Sequence, residues 1–222
     1  MNVLTRTLLS CLLILASSAL FANEIREGVD FYVIDTPQPT ADPSRVEVLE
    51  VFAYGCPACN AFKPHMDAYE RDLPEGVYVE RLAAPFGGFS EMMARVYFTL
   101  DTMGQVDQVH SEIYDAIHNQ RKRWRNIEQV AAHLANHGID RDQLLRTAQS
   151  FAVESRMRRA MQHLQRTGVD ATPNVIVNGK YRVVARSGSG FGHKIRVIEH
   201  LVERELAELE TNQATDDEYA SR

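Results

Sequence analysis

The apolar positions along this chain recur with two spacings, which separate predicted strands from predicted helices. Three short runs rich in Val, Leu and Phe predict β-strands, at residues 31–34, 46–52 and 77–82. Between the last two runs, helical spacing links four apolar side chains, at Phe62, Met66, Tyr69 and Leu73. This spacing predicts a helix from about residue 56 to residue 73, which Pro64 should kink because proline removes one intrahelical hydrogen bond.

Residues 89–167 carry only the helical pattern, with apolar stripes separated by turn signals. Asn126 and Asp140 each precede such a stripe and are followed three residues later by Gln, which is typical of a helix start. The strand pattern then returns on both sides of Asn178-Gly179, a dipeptide typical of hairpin turns. Residues 195–209 predict a final amphipathic helix.

This order of elements predicts an α/β fold in which a small sheet is interrupted by an inserted all-helical subdomain. We divide the chain into a signal segment (1–22), a discontinuous sheet domain (23–87 and 168–210), a helical insertion (88–167) and a flexible polar tail (211–222).

The first 22 residues have the composition of a secretory signal peptide, with Arg6 before an apolar run and small residues near its end. A membrane anchor is the alternative, although the apolar run is shorter than the ~20 residues that a span requires. Cleavage would remove Cys11, so the mature chain would keep Cys56 and Cys59. The net charge of −6 argues against a general nucleic-acid-binding protein. The basic run around Trp124, at residues 121–125, is better explained as a charged loop between helices with the indole in the core.

The tetrad Cys56-Pro57-Ala58-Cys59 lies where the strand at 46–52 passes into the first helix. Unpaired N–H groups at a helix start favour an anion such as a thiolate, so the tetrad is a candidate redox centre with Cys56 as the exposed, acidic nucleophile. An inert disulfide and half of a zinc site are the alternatives. A bridge that encloses two residues stabilises little, and zinc normally takes four ligands while the mature chain has no second Cys pair.

Four segments match a known pattern: the lead-in at 50–55 with the tetrad, Pro64, residues 168–173 and residues 177–181. Over nearly the whole mature chain, the sequence resembles periplasmic thiol:disulfide oxidoreductases of the DsbA type, which have a thioredoxin fold with a helical insertion. The resemblance implies that Pro173 is a cis-proline facing the redox pair and that the Thr172 backbone pairs with an extended substrate. It also implies that Glu50 moves a proton to or from Cys59. Glu50 could instead be a structural acid paired with Arg81.

Two residues depart from the pattern of the most oxidising members. Ala58 stands where those members have His, so we expect a less oxidising couple. Thr172 resembles the corresponding residue of isomerases and reductases of the same fold. The net direction of electron transfer therefore stays open.

The sequence thus predicts a periplasmic enzyme that donates a disulfide to reduced, exported proteins and needs no bound cofactor. A quinone-linked membrane partner of the DsbB type is implied by the resemblance. The alternatives are an isomerase or reductase and a redox-inert, chaperone-like peptide-binding module. We expect a monomer, because residues 23–45 leave no room for a dimerisation domain. His133 and His137 have a metal-binding spacing but no evident third ligand, so we expect a solvated helix face and no metal.

Overall fold

The computed structural model describes residues 24–184 and 188–220. The predicted signal peptide lies outside these residues. No helix among the described residues is both long enough and apolar enough to cross a membrane.

A five-stranded sheet forms the centre of the molecule. Its strands are β1 (Phe31–Val33), β2 (Val46–Phe52), β3 (Val77–Ala83), β4 (Asn174–Val177) and β5 (Tyr181–Val183). They lie in the order β1-β5-β4-β2-β3; β2 and β3 are parallel, and the other neighbours are antiparallel. All seven residues of β2 are buried, because this strand has neighbours on both edges and helices against both faces. The sheet confirms the predicted thioredoxin-like α/β fold.

Seven helices surround the sheet within the described residues. They are α1 (Pro57–Arg71), α2 (Gly88–Thr102), α3 (Val106–His118), α4 (Ile127–Ala135), α5 (Arg141–Ala148), α6 (Phe151–Thr167) and α7 (Gly190–Ala220). Both predicted capping residues are confirmed: the side chain of Asn126 accepts from the Gln129 amide at 3.0 Å, and that of Asp140 from the Gln143 amide at 2.8 Å. Each cap satisfies an N–H group that the helix itself leaves unpaired.

The predicted hairpin is confirmed, and its turn shows why Asn-Gly is needed. Asn178 and Gly179 have φ angles of 49° and 63°, and the Lys180 amide donates to the Val177 carbonyl at 3.0 Å. A Cβ atom at Gly179 would lie 2.0 Å from the carbonyl oxygen of Gln38. Glycine is therefore required both by the turn and by the close approach of the segment that precedes β2.

The last helix runs further than the apolar pattern predicted, which ended it at residue 209; the flexibility expected of residues 211–222 stays a prediction. Helix α7 continues to Ala220. The sequence beyond Leu209 lacks proline and glycine, and Ala, Gln and Glu favour helix even without an apolar stripe. The loss of apolar periodicity at Leu209 therefore does not mark the end of the helix.

The insertion and the redox strand share one hydrophobic cluster. Phe52 and Tyr54, at the end of β2, pack with Cys59 and with buried side chains of α2, α3 and α4. Trp124 is buried in the same cluster, as predicted for the loop between α3 and α4. The opposite end of the sheet packs against α1 and α7 in a second cluster. The redox motif therefore lies between the sheet and the helical insertion.

Candidate active site

Cys56 is the N-cap residue of α1, and its sulfur faces the first turn of the helix. Its φ and ψ angles of −82° and 115° are extended, and Pro57 occupies the start of the helix, where proline lacks only an N–H that would have no intrahelical partner. The Cys59 amide donates to Cys56 Sγ at 3.3 Å. The predicted placement of the motif at a helix start is therefore confirmed.

The two cysteines differ sharply in burial. Cys59 is fully buried, whereas Cys56 is half-buried and Pro57 and Ala58 are exposed. Burial alone would raise the pKa of Cys56, but hydrogen bonds from Thr172, from Cys59 and from the backbone of Cys59 and Ala58 outweigh it, so the pKa lies below the ordinary value. Burial raises the pKa of Cys59 to about 12. At neutral pH the Cys56 sulfur is therefore the better leaving group, and the Cys59 sulfur holds its proton.

The loop before β4 lies against the redox pair. The Thr172–Pro173 peptide bond is cis, as predicted. The Cys56 thiol donates to the Thr172 carbonyl oxygen across 3.4 Å. The structure thus brings together Cys56, Cys59, Thr172 and Pro173, which come from distant parts of the sequence.

Glu50 lies in the middle of β2, where it is almost completely buried. Arg81, its register partner on β3, donates through Nε to Glu50 Oε2 at 3.3 Å and also pairs with Glu70 on α1. Burial raises the pKa of Glu50 above its usual value, and the guanidinium of Arg81 opposes this shift. The predicted pairing with Arg81 is confirmed, and the raised pKa makes this carboxylate easier to protonate than one in water.

Lys194 is a site residue that the sequence reasoning missed. It lies near the start of α7, is only 3% exposed, and donates through Nζ to the Pro173 carbonyl at 2.7 Å. The ammonium also sits 5.2 Å from the ring centroid of Phe62. Burial lowers the pKa of Lys194 to about 8, while the charges of Cys59 and Glu50 act in the opposite direction. One signal was available: Lys194 precedes Ile198 by four residues and so shares its buried helix face.

Helix α3 supplies two histidines that support the strand leading to the motif. His110 Nδ1 lies 2.9 Å from the Tyr54 hydroxyl, and His118 Nε2 lies 2.8 Å from the Tyr54 carbonyl oxygen. Burial lowers the pKa of His110 to about 3, with a smaller contribution from Arg81. His110 is therefore a neutral imidazole that orients the tyrosine.

An open cleft of about 390 Å³ adjoins the motif, between Pro57, Phe89 and the basic loop 121–125. Phe89 is 37% exposed and its ring lies over Gly55, where a Cβ atom would come within 2.9 Å of the ring. The exposed edge of the redox motif therefore has an aromatic side and a basic side, which suit a polypeptide better than a small apolar ligand.

The expectation of a solvated face at His133 and His137 is wrong for His133. That ring lies beside Trp124 and approaches Glu112, a residue of α3 that also approaches His137. Sequence reasoning missed Glu112 because it is 21 residues away from His133 along the chain.

Two cysteines of unequal burial at the start of one helix, on a thioredoxin-like sheet, are the arrangement of a dithiol oxidoreductase. Residues 81–193 match the family model described as a DSBA-like thioredoxin domain. The chain is 37% identical over 202 residues to the thiol:disulfide interchange protein DsbA of Azotobacter vinelandii, covering 86% of this chain and 94% of that protein. The DsbA of Pseudomonas aeruginosa is 34% identical over 198 residues, covering 87% and 94%.

Solved structures agree with these sequence matches. The crystal structure of Pseudomonas aeruginosa DsbA has a TM-score of 0.79 at 33% identity, covering 84% of this chain and 97% of that chain. The Xylella fastidiosa oxidoreductase DsbA has a TM-score of 0.77 at 28% identity, covering 83% and 99%. This chain belongs to the DsbA family, and it is a thiol:disulfide oxidoreductase.

Proposed function

We propose that this protein oxidises reduced, exported proteins in the periplasm by donating its Cys56–Cys59 disulfide. The carrying observation is the asymmetry of the pair: the half-buried Cys56 has a lowered pKa, and the fully buried Cys59 has a raised one. A sulfur that is stable as a thiolate leaves readily from a mixed disulfide, so electrons flow from the substrate to the enzyme.

The reaction has two exchange steps. A substrate thiolate attacks Cys56 Sγ, the Cys56–Cys59 bond breaks, and Cys59 leaves as a thiolate that takes up a proton. A second substrate thiolate then attacks the substrate sulfur of the mixed disulfide and Cys56 leaves as a thiolate. The substrate loses two electrons and gains a disulfide, while the enzyme becomes the dithiol.

We propose that Glu50 gives a proton to the Cys59 sulfur and takes it back. Lys194 is a positioning residue that lies between Glu50 and the cis-proline loop. Burial keeps the pKa of Glu50 above its usual value, which suits a group that gives and takes a proton. The Lys194 charge interacts with both Cys59 and Glu50. The Thr172 backbone, beside Cys56, is assigned to pairing with an extended substrate segment.

The test is oxidation of a reduced model protein by the oxidised enzyme. We expect Cys56→Ser to abolish catalysis and Cys59→Ser to accumulate an enzyme–substrate mixed disulfide. Catalysis that survives in Cys56→Ser would overturn this assignment and favour a peptide-binding role.

A reductase or isomerase is the second candidate, favoured by Ala58 and Thr172. The Ala58 side chain is exposed and cannot donate a hydrogen bond to the Cys56 thiolate. Equilibration with glutathione separates the two roles, because an oxidase couple stays largely reduced in buffers that leave a reductase couple oxidised.

The partners and organisation follow from this proposal. A membrane protein of the DsbB type would reoxidise the dithiol, and the export route would begin with a signal peptide at residues 1–22. We further propose that residues 23–87 and 168–210 form the thioredoxin-fold domain, that residues 88–167 form the helical insertion, and that the protein acts as a monomer.

A further inference from the structure

Three potential metal ligands from two helices converge on one surface of the helical insertion. Glu112 lies on α3, while His133 lies on α4 and His137 in the turn that ends it. Their ligand atoms all lie within 4.8 Å of one another. Glu112 Oε1 is 3.0 Å from His133 Nε2 and 3.4 Å from His137 Nε2.

These separations suit coordination of a single ion. Zinc binds imidazole nitrogen and carboxylate oxygen at about 2.0–2.2 Å, so two ligands of a tetrahedral site lie about 3.3–3.5 Å apart. The pairs that include Glu112 are at or near this separation already. Two imidazoles and one carboxylate form a three-ligand set that leaves a fourth position for water. Imidazole nitrogen binds Zn²⁺, Cu²⁺ and Ni²⁺ more tightly than it binds Mg²⁺ or Ca²⁺.

The surrounding side chains hold these groups in place. The Trp124 ring packs beside His133, with centroids 5.2 Å apart. Gln108 donates to the His137 carbonyl at 2.8 Å, which fixes the turn, and the Gln120 amide approaches Glu112 Oε1 at 3.4 Å. The side chain of His133 is 13% exposed, that of Glu112 22% and that of His137 35%, so the group opens to solvent on the His137 side.

We propose that Glu112, His133 and His137 form a binding site for one divalent transition-metal ion, with Zn²⁺ as the ion that fits the ligand set best. The ion joins α3 to α4, the two helices that the basic loop 121–125 connects. The three ligands belong to α3, α4 and the turn after α4, whereas the redox cysteines lie at the start of α1.

The test uses tag-free, fully oxidised protein, so that Cys56 and Cys59 form a disulfide and cannot bind zinc as thiolates. Zn²⁺ is titrated in competition with a chromophoric chelator. We expect one ion per chain and at least about tenfold weaker binding for Glu112→Gln and His137→Gln. The control His200→Gln removes an exposed histidine on α7 and should bind as the parent does.

Two further measurements keep the proposal falsifiable if a variant is unstable. Zn²⁺ should raise the midpoint of thermal unfolding of the parent and of His200→Gln, but not of Glu112→Gln. Co²⁺ should give the strong visible absorption of a four-coordinate site, and excess Mg²⁺ should not displace it. No binding by the oxidised parent, or equal binding by the Glu112→Gln, His137→Gln and parent proteins, would show that the three side chains form only a hydrogen-bonded cluster.

Discussion

The ammonium group of Lys194 donates a hydrogen bond to the carbonyl oxygen of Pro173, across 2.7 Å and out of contact with bulk water. This bond ties the start of α7 to the cis-proline loop. The same charge interacts with Cys59 and Glu50, so one buried cation connects the substrate-facing loop to the interior of the redox centre.

We expect Lys194→Met to slow the attack of Cys59 on a mixed disulfide by about threefold to tenfold at neutral pH, because a nearby cation stabilises the Cys59 thiolate by on the order of 1 kcal/mol. The pKa of Lys194 is about 8, so the charge is lost as the pH rises through that value. The difference between parent and variant should therefore shrink above about pH 8. Stopped-flow kinetics of mixed-disulfide resolution over a pH series would measure this.

The matched control is Lys180→Met, which removes a more exposed lysine paired with Glu205 and Glu208 on α7. It should leave the resolution rate unchanged at every pH. A pH profile that is the same in Lys194→Met and the parent would contradict a role for the Lys194 charge.

Ala58→His should make the protein more oxidising. The Ala58 side chain is exposed, so an imidazole fits without displacing the core, and it can place a donor and a partial positive charge near Cys56. A cation near a partly exposed anion contributes on the order of 1 kcal/mol, so the equilibrium constant with glutathione should move by about threefold to tenfold towards the reduced enzyme. Ala58→Asn, which adds a polar side chain without a titratable group, should move it much less. A His variant no more oxidising than the parent would refute the role assigned to this position.

Glu50→Gln should slow the exchange steps that involve Cys59 and raise the unfolding free energy at neutral pH, because the buried carboxylate is costly there in its charged form. Burial raises the pKa of Glu50, so its stability contribution is fully present below the unfolded value of ~4.3 and is lost as the pH rises through the higher folded value. Arg81 keeps Glu70 as a partner in the variant. Urea unfolding at about pH 4 and about pH 7 would measure the effect on stability, and exchange kinetics would measure the effect on the Cys59 steps.

Glu47→Gln is the control on the same strand. Burial also raises the pKa of Glu47, but this carboxylate bonds to Tyr78 and the Ala41 amide, on the other side of the sheet from Glu50. It should change stability without changing exchange kinetics. Equal kinetic effects in the two variants would remove Glu50 from the proton pathway.

His110 should make the protein sensitive to mild acid. Its pKa is about 3 in the folded protein and ~6.5 when unfolded, so its stability contribution is present above about pH 6.5 and is lost as the pH falls towards the folded value. Within that window the loss approaches about 1.4 kcal/mol per pH unit. Urea unfolding between about pH 5 and pH 6.5 gives the slope of the unfolding free energy against pH, which counts the protons taken up on unfolding. The parent should take up close to one proton more than His110→Gln. His200→Gln should keep the parent slope, and a parent slope in His110→Gln would contradict this account.

The sequence predicted the parts of the site that depend on one secondary-structure element or on two neighbouring ones. The placement of Cys56 at a helix start follows from a strand pattern and a helical pattern that meet at the tetrad. The pairing of Glu50 with Arg81 follows from two strands whose parallel register puts the residues side by side. Local patterns suffice for these features because each depends on one element or one neighbouring pair.

The missed residues depend on how distant elements pack. Lys194 reaches the redox centre only because α7 crosses the sheet beside α1, and Glu112 meets His133 only because α3 and α4 pack together. Neither Lys194 nor Glu112 has a local sequence feature that distinguishes it from the solvated side chains of an amphipathic helix. Periodicity was also the wrong guide to the end of α7, since helix propensity continues past the last residue of the apolar stripe.

Phe52 and Tyr54 belong to the cluster that joins the sheet to the helical insertion. Excising residues 88–167 to obtain a minimal redox protein would expose both rings and Cys59 to water. The Cys59 sulfur would then lose the burial that raises its pKa. A shortened version of this protein would first need other apolar side chains to cover the surface that these helices bury.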